Sequence, residues 1–350
     1  MRNAPCSRAR RPREFRPEVL VRRSVLSSLL AVVTAVPLLG QAPARDVQGS
    51  RPPVFRSRAS LVSLNVAVLD GAARYVTGLQ PADFAVYEDG VKQDVKFFES
   101  NAVPIDLIVL VDTSASMSDK MDAVHQAAIG FLHTLRDGDR GAVVSFSETV
   151  NVVQPLTGDR ASLDEAVLST HAHGATALHN AVYIALKQFG QLARQDGEVR
   201  RQAIAIVSDG DDTASLVTFD DVLSLARKTG VNVYTIGLHS KYETQRIVQE
   251  RHRYFNEAEY SLKTLARETG AQAFFPLDIA ELKGVYSAIS SELANQYSIG
   301  YVPANGRLDG RFRRIIVQVV SRPELRPRTR LGYVAEPEHT VLLSTGSLPQ

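Results

Sequence analysis

Residues Ile105–Val111, IDLIVLV, form an apolar run of the kind that belongs to a β-strand buried on both faces, and Ala123–Leu135 then takes up helical spacing. The same exchange of period repeats down the chain. Strands are predicted over Gly141–Ser147, with Val150–Pro155 as a hairpin partner, then over Gln202–Ser208, Val231–Leu238 and Ala273–Phe275. Helices are predicted over Leu163–Ser169, Leu178–Leu192, Phe219–Thr229, Ser261–Thr269 and Asp278–Leu293. A strand buried on both faces needs a helix layer on each side, so this alternation predicts a doubly wound α/β body with a mostly parallel central sheet over residues 103–295.

The flanks are built differently. Leu61–Leu69 alternates, with Val62, Leu64, Val66 and Val68 on one face, and ends at Asp70-Gly71. Phe84–Tyr87, the turn Glu88-Asp89-Gly90 and Val91–Phe98 follow as strand, turn and strand. After the body, Gln296–Val302 and Arg314–Ser321 read as antiparallel strands separated by Asn305-Gly306 and Asp309-Gly310, with Arg328–Val334 as a further strand. Residues 59–102 and 296–335 are therefore expected either to join as one smaller antiparallel β domain or to form two separate sheets. Residues 45–58 read as a linker, and 336–350 as a disordered tail.

Charge divides the 350 residues unevenly. Residues 1–44 hold eight arginines against Glu14 and Glu18, a local +6, which leaves −4 for residues 45–350 of a chain whose formal total is +2. The apolar run Val25–Gly40 follows that basic segment and ends near Gln41-Ala42-Pro43-Ala44, the layout of a secretory leader with cleavage after Ala44. Its sixteen residues fall short of the ~20 a spanning helix needs, and Pro37 interrupts them. A membrane role is expected only if the leader stays uncleaved. Arg22-Arg23 leaves the Sec and twin-arginine routes both open, and the destination is periplasmic or extracellular. The one cysteine, Cys6, leaves with the leader, so the mature chain has no thiol for a disulfide, a nucleophile or a zinc site. The acidic balance of residues 45–350, with no basic stripe carrying interleaved aromatics, argues against nucleic acid as a partner.

The chemistry concentrates at strand ends. Asp112-Thr113-Ser114-Ala115-Ser116 follows the first buried strand and puts one carboxylate and two hydroxyls on alternating positions of a tight turn. Oxygen donors of this kind suit a hard cation. Gly174-Ala175-Thr176 opens a helix with a threonine, and Ser208-Asp209-Gly210 ends another buried strand with an aspartate. In an open α/β sheet this is where ligands bind.

These three motifs, in this order within a strand–helix alternation, resemble the metal-ion-dependent adhesion site of von Willebrand factor A domains. The likeness covers residues 103–295 and implies a Rossmann-like doubly wound domain. More narrowly, Gly78-Leu79, Asp83-Phe84 and Glu88-Asp89-Gly90 before the domain, with Gln296-Tyr297, Gly300-Tyr301 and Gly332-Tyr333 after it, resemble the secreted, acidobacterial-type VWFA-related proteins. Carried over by position, the resemblance implies Ser114 and Ser116 as direct metal ligands, Thr176 as a direct or water-bridged one, and Asp112 and Asp209 as mainly water-bridged. It implies Mg²⁺, with Mn²⁺ or Ca²⁺ as substitutes, and a partner that supplies a carboxylate. Asn180 departs from the family, which often has an aspartate there.

Two other clusters carry a bland reading and a sharper one. His171-Ala172-His173 is either a pair of solvated loop residues or a transition-metal site, and Asp211-Asp212 either turn residues or a second cation site. The charged stretch His239–Tyr260 reads as a solvated helix or as part of a binding rim. No Gly-x-Ser-x-Gly, Ser-x-x-Lys, His-Glu-x-x-His or Gly-x-x-x-x-Gly-Lys motif is present. The expected function is thus an exported, non-enzymatic, Mg²⁺-dependent protein-binding or adhesion module. The alternatives are a scaffold that binds through its β flanks and whose metal site is structural, and a metal-dependent hydrolase.

Overall fold

The computed structural model describes residues 61–100, 103–195, 200–209, 211–239 and 257–336, the side chains of 191–195 apart. The expected leader, the linker, residues 240–256 of the charged stretch and the tail from residue 337 lie outside them. Fourteen strands are described: β1 Val62–Leu69, β2 Phe84–Glu88, β3 Val91–Gln93, β4 Val95–Ser100, β5 Ile105–Asp112, β6 Arg140–Phe146, β7 Val150–Thr157, β8 Arg201–Ser208, β9 Asn232–Gly237, β10 Ala273–Phe274, β11 Tyr297–Tyr301, β12 Phe312–Val319, β13 Arg326–Arg328 and β14 Gly332–Val334. The helices are α1 Met121–Leu132, α2 Arg160–Leu168, α3 Leu178–Gln195, α4 Phe219–Thr229, α5 Glu257–Thr269 and α6 Leu282–Ala294.

The body is a six-stranded sheet in the order β10-β9-β8-β5-β6-β7, parallel except for the edge strand β7. All eight residues of β5 are buried. Ile105, Leu107, Val109 and Val111 point into a core shared with α1, α2 and α6, while Ile108 and Leu110 point into a second core with α3, α4 and α5. In β8 the small residues Ala203 and Ala205 face the first core, and Ile204 and Ile206 the second. Unbroken apolar strands thus become the middle layer of a three-layer α/β sandwich.

Helix ends depart from the apolar period where local hydrogen bonds intervene. α1 stops at Leu132 rather than Leu135 because the Thr134 and Leu135 N–H groups bond three residues back, to Phe131 and Leu132, and the Thr134 hydroxyl also donates to the Phe131 carbonyl. The segment after Asp278 first makes a 3-10 turn, Ile279–Glu281, capped by the Asp278 side chain on Ala280 N–H at 2.9 Å, and only then becomes α6.

The flanking strands form two four-stranded antiparallel sheets, β13-β1-β11-β4 and β14-β12-β2-β3, and each draws strands from both sides of the body. They enclose a common core that includes Leu64, Val66, Phe84, Val86, Tyr297, Ile299, Tyr301, Ile315 and Val317. The strand expected over Arg328–Val334 is split between the sheets: β13 pairs with β1 and β14 with β12. The crossing at Thr329–Arg330 runs so close to Gly270, itself at φ +80°, that a Cβ there would lie 2.4 Å from the Arg330 nitrogen. Only glycine fits.

Body and flanks meet at the fully buried Glu292 of α6. Its carboxylate accepts from Tyr234 Oη at 2.8 Å, Tyr75 Oη at 3.0 Å and Gln272 Nε2 at 2.6 Å, and pairs with Arg328. Burial, then the Glu292 charge, pushes the Tyr75 phenol up to about 12. Tyr75 and Arg328 come from the flanks, and Tyr234, Gln272 and Glu292 from the body, so removing the carboxylate strands donors on both sides. Glu292→Ala is expected to lower the unfolding free energy by about 3–5 kcal/mol in urea denaturation; a loss under about 1 kcal/mol would show that the seam does not rest on this group.

Candidate metal centre

The chain leaves β5 through α1 to β6 on one side and later reaches β8 on the other, so a crevice opens at the carboxyl ends of β5 and β8. Asp112, the last residue of β5, stands in it, fully buried. One carboxylate oxygen accepts from Ser114 N–H at 2.8 Å, closing an Asx turn, and the other accepts from Ser208 Oγ at 2.5 Å. Burial pushes the Asp112 carboxyl above its ordinary range, against the pull of the Ser208 and Ser114 hydrogen bonds.

The serine turn is held from both ends. Thr113 donates its N–H to Phe146 O at 2.7 Å and accepts from His173 N–H at 2.6 Å; Ala115 N–H donates to Gly174 O at 3.0 Å. The 3-10 turn Ala115–Met117 plugs the buried Met117 side chain into the first core. This leaves the hydroxyls of Ser114, buried, and Ser116, exposed, 3.0 Å apart. Gly174 takes φ +71°, and a Cβ there would press on the Glu148 side chain at 3.2 Å.

Thr176 lies two residues before α3 and is buried. Its N–H donates to Thr213 Oγ1 at 3.1 Å, and its carbonyl accepts from Thr213 and Ala214 N–H at 2.9 and 3.0 Å. Asp209 follows β8 directly and pairs with Lys120 Nζ at 3.3 Å, an ammonium that also donates to Ser116 O at 3.3 Å. Direct bonds thus join Asp112, Ser114 and Ser116, and Lys120 links Asp209 to Ser116, whereas Thr176 is clamped by Thr213 and Ala214 of the loop after β8. Gly210 lies outside the described residues.

The donor set is oxygen only, which suits a hard cation. Two oxygens bound side by side on an octahedral Mg²⁺ stand about 3.0 Å apart, whereas the longer bonds of Ca²⁺ call for about 3.3–3.7 Å. The Ser114 and Ser116 hydroxyls, 3.0 Å apart and hydrogen-bonded to each other, are close enough to bind one such cation side by side.

The remaining candidates are engaged elsewhere. Among the described residues no group of three or more His, Cys, Asp or Glu side chains is placed to hold a metal. His171 Nδ1 bonds the Ser169 carbonyl; His173 bonds the His171 carbonyl through Nδ1 and Ser147 Oγ through Nε2. Asp212 accepts from Ser215 Oγ at 2.7 Å and lies 3.2 Å from His179 Nδ1, which is the turn-residue reading. Three nearby residues carry roles that the sequence motifs did not assign. Ser208 bonds Asp112, Lys120 bonds Asp209, and Glu148 accepts from Ala175 N–H at 3.3 Å.

The von Willebrand factor type A domain model matches residues 106–281, half of the chain. The chain belongs to the von Willebrand factor type A domain family. Domains of this type are typically adhesion and protein-interaction modules. A UPF0353 protein of Mycobacterium leprae is 25% identical over 254 residues, covering 68% of this chain and 72% of the relative. An uncharacterized protein of Borreliella burgdorferi is 26% identical over 149 residues, 39% of this chain and 42% of that protein. A solved von Willebrand factor type A structure from Catenulispora acidiphila aligns with TM-score 0.45 at 19% identity, over 68% of this chain and 51% of that one. The solved vWF domain of the type V pili tip protein Mfa5 from Porphyromonas gingivalis gives TM-score 0.43 at 14% identity, over 55% of this chain and 95% of that domain. The chain therefore spans about half or less of the B. burgdorferi and C. acidiphila proteins.

Within the type A domain, Asn180 staples the loop that clamps Thr176. Its Oδ1 accepts from Leu216 and Val217 N–H at 3.2 and 3.1 Å, and its own N–H donates to Ser215 Oγ at 3.0 Å. A carboxylate can accept the same two bonds, so the departure from aspartate keeps the staple. Asn180→Asp is expected to preserve slow amide hydrogen exchange at Leu216 and Val217, and Asn180→Ala to accelerate it at both and to cost about 1–3 kcal/mol. Unchanged exchange in Asn180→Ala would remove Asn180 from this role.

Proposed function

We propose that this chain is an exported, non-enzymatic binding module that takes Mg²⁺ at the crevice of Asp112, Ser114, Ser116, Thr176 and Asp209 and engages a carboxylate of a protein partner there. The observation that carries the reading is the pair of hydroxyls on Ser114 and Ser116, 3.0 Å apart beside the buried Asp112 at the switch point of the sheet. Family membership supports the binding role. The basic, apolar and small-residue order of residues 1–44 supports export.

The residues divide the work by their charge. Ser114, Ser116 and Thr176 present neutral oxygens, and Asp112 is held by Ser208 and the Ser114 amide so that its carboxylate orients the turn. Asp209 shares its charge with Lys120. Bound Mg²⁺, faced mostly by neutral donors, supplies a Lewis-acidic position that an anionic oxygen can fill. The backbone of the serine turn is already fixed by Met117 and by the bonds to Phe146, His173 and Gly174.

Calorimetric titration of Mg²⁺ and Mn²⁺ into the metal-stripped protein tests this. Saturable one-site binding is expected in the parent, and none in Asp112→Ala that keeps its thermal transition. Equal binding in parent and variant would remove this crevice as the metal site.

A further inference from the structure

The crevice contains a cation of its own. Lys120 stands at the start of α1, and its side chain is only 12% exposed; its partner Asp209 is 14% exposed. The ammonium lies 3.3 Å from the Asp209 carboxylate and 3.3 Å from the carbonyl of Ser116, so it touches two of the five residues assigned to the metal. A lysine gives up hydration to sit there, and among the described residues it regains one carboxylate and one carbonyl oxygen. Helix packing does not ask for it: α1 is seated by Met121, Val124, Ala127, Ala128, Phe131 and Leu132.

The consequence is electrostatic. Asp112 and Asp209 provide two negative charges and Lys120 cancels one, so the crevice holds a divalent cation less firmly than two free carboxylates would. Once loaded, the same positive charge makes the site one unit more attractive to an incoming anion. Resting on the metal-dependent reading above, we propose that Lys120 is a built-in counter-cation that exchanges metal affinity for ligand affinity, and so biases the loaded site toward carboxylate-bearing ligands. Lys120 is a specificity residue in this account and does not itself bind the metal.

Two measurements on the full chain separate this from a structural role. The first is Mg²⁺ affinity by calorimetry. The second is affinity of the Mn²⁺-loaded protein for acetate, read from the transverse relaxation of the acetate methyl protons. Lys120→Met is expected to bind Mg²⁺ about tenfold more tightly and acetate several-fold more weakly. Lys120→Gln, which keeps a donor for the Ser116 carbonyl, is expected to do the same, and Lys120→Arg to match the parent. Unchanged or weaker metal binding in both neutral variants overturns the proposal while leaving the metal site standing, as does a shift shared by Lys120→Arg. If the parent takes up no metal, the underlying reading fails and the proposal falls with it.

Discussion

Everything in the type A domain is referred to β5, the eight-residue strand whose side chains are all buried. Parallel pairing to β6 on one edge and β8 on the other places it mid-sheet, and apolar residues on both of its faces demand two helix layers. Because the chain leaves β5 toward one edge of the sheet and β8 toward the other, the crevice between their carboxyl ends follows from the strand order. Asp112 is the first residue past the apolar run. A carboxylate in that position is costly unless it is bonded, and the Ser114 amide and Ser208 hydroxyl supply those bonds. The shape of the serine turn is thus tied to the core beneath it.

A second buried carboxylate, Glu292, does for the seam what Asp112 does for the crevice. It gathers Tyr75 and Arg328 from the β sandwich and Tyr234 and Gln272 from the body, while Asn65 on β1 bonds Asn232 on β9 at 2.6 Å. The sandwich is discontinuous: β1 and β2 precede the body, and their partners β11 and β12 follow it. It therefore clasps the two ends of the domain together. A polar seam of this kind holds orientation, because each donor must find its oxygen.

How much of this was legible depended on how local the cause was. Ile105–Val111 and Gln202–Ser208 announced central strands by lacking a polar face, and the alternation of Val62, Leu64, Val66 and Val68 announced the buried side of β1. The split of Arg328–Val334 into β13 and β14 was not legible, since it depends on a crossing past Gly270 that only the assembled fold creates. The motif order singles out Asp112, Ser114, Ser116, Thr176 and Asp209, and of these the fold joins Asp112, Ser114, Ser116 and, through Lys120, Asp209. The place of Lys120 was hidden: its ammonium reaches Asp209 across 89 residues only once Ala115–Met117 has turned and α1 has begun. Asp212 carries the same ambiguity from the other side, since its engagement with His179 and Ser215 requires α3 and the loop after β8 to be adjacent.

Charge is balanced at this strand end: one carboxylate, Asp112, orients the turn, a second, Asp209, is shared with Lys120, and the neutral hydroxyls of Ser114 and Ser116 would face a bound ion. All of this turns on the position of the metal. Crystals of the chain grown with Mn²⁺ and measured for anomalous scattering test that directly. One strong peak is expected in the crevice, in contact with the hydroxyls of Ser114 and Ser116. A crevice without a peak, or a peak at His171 and His173 instead, would contradict it.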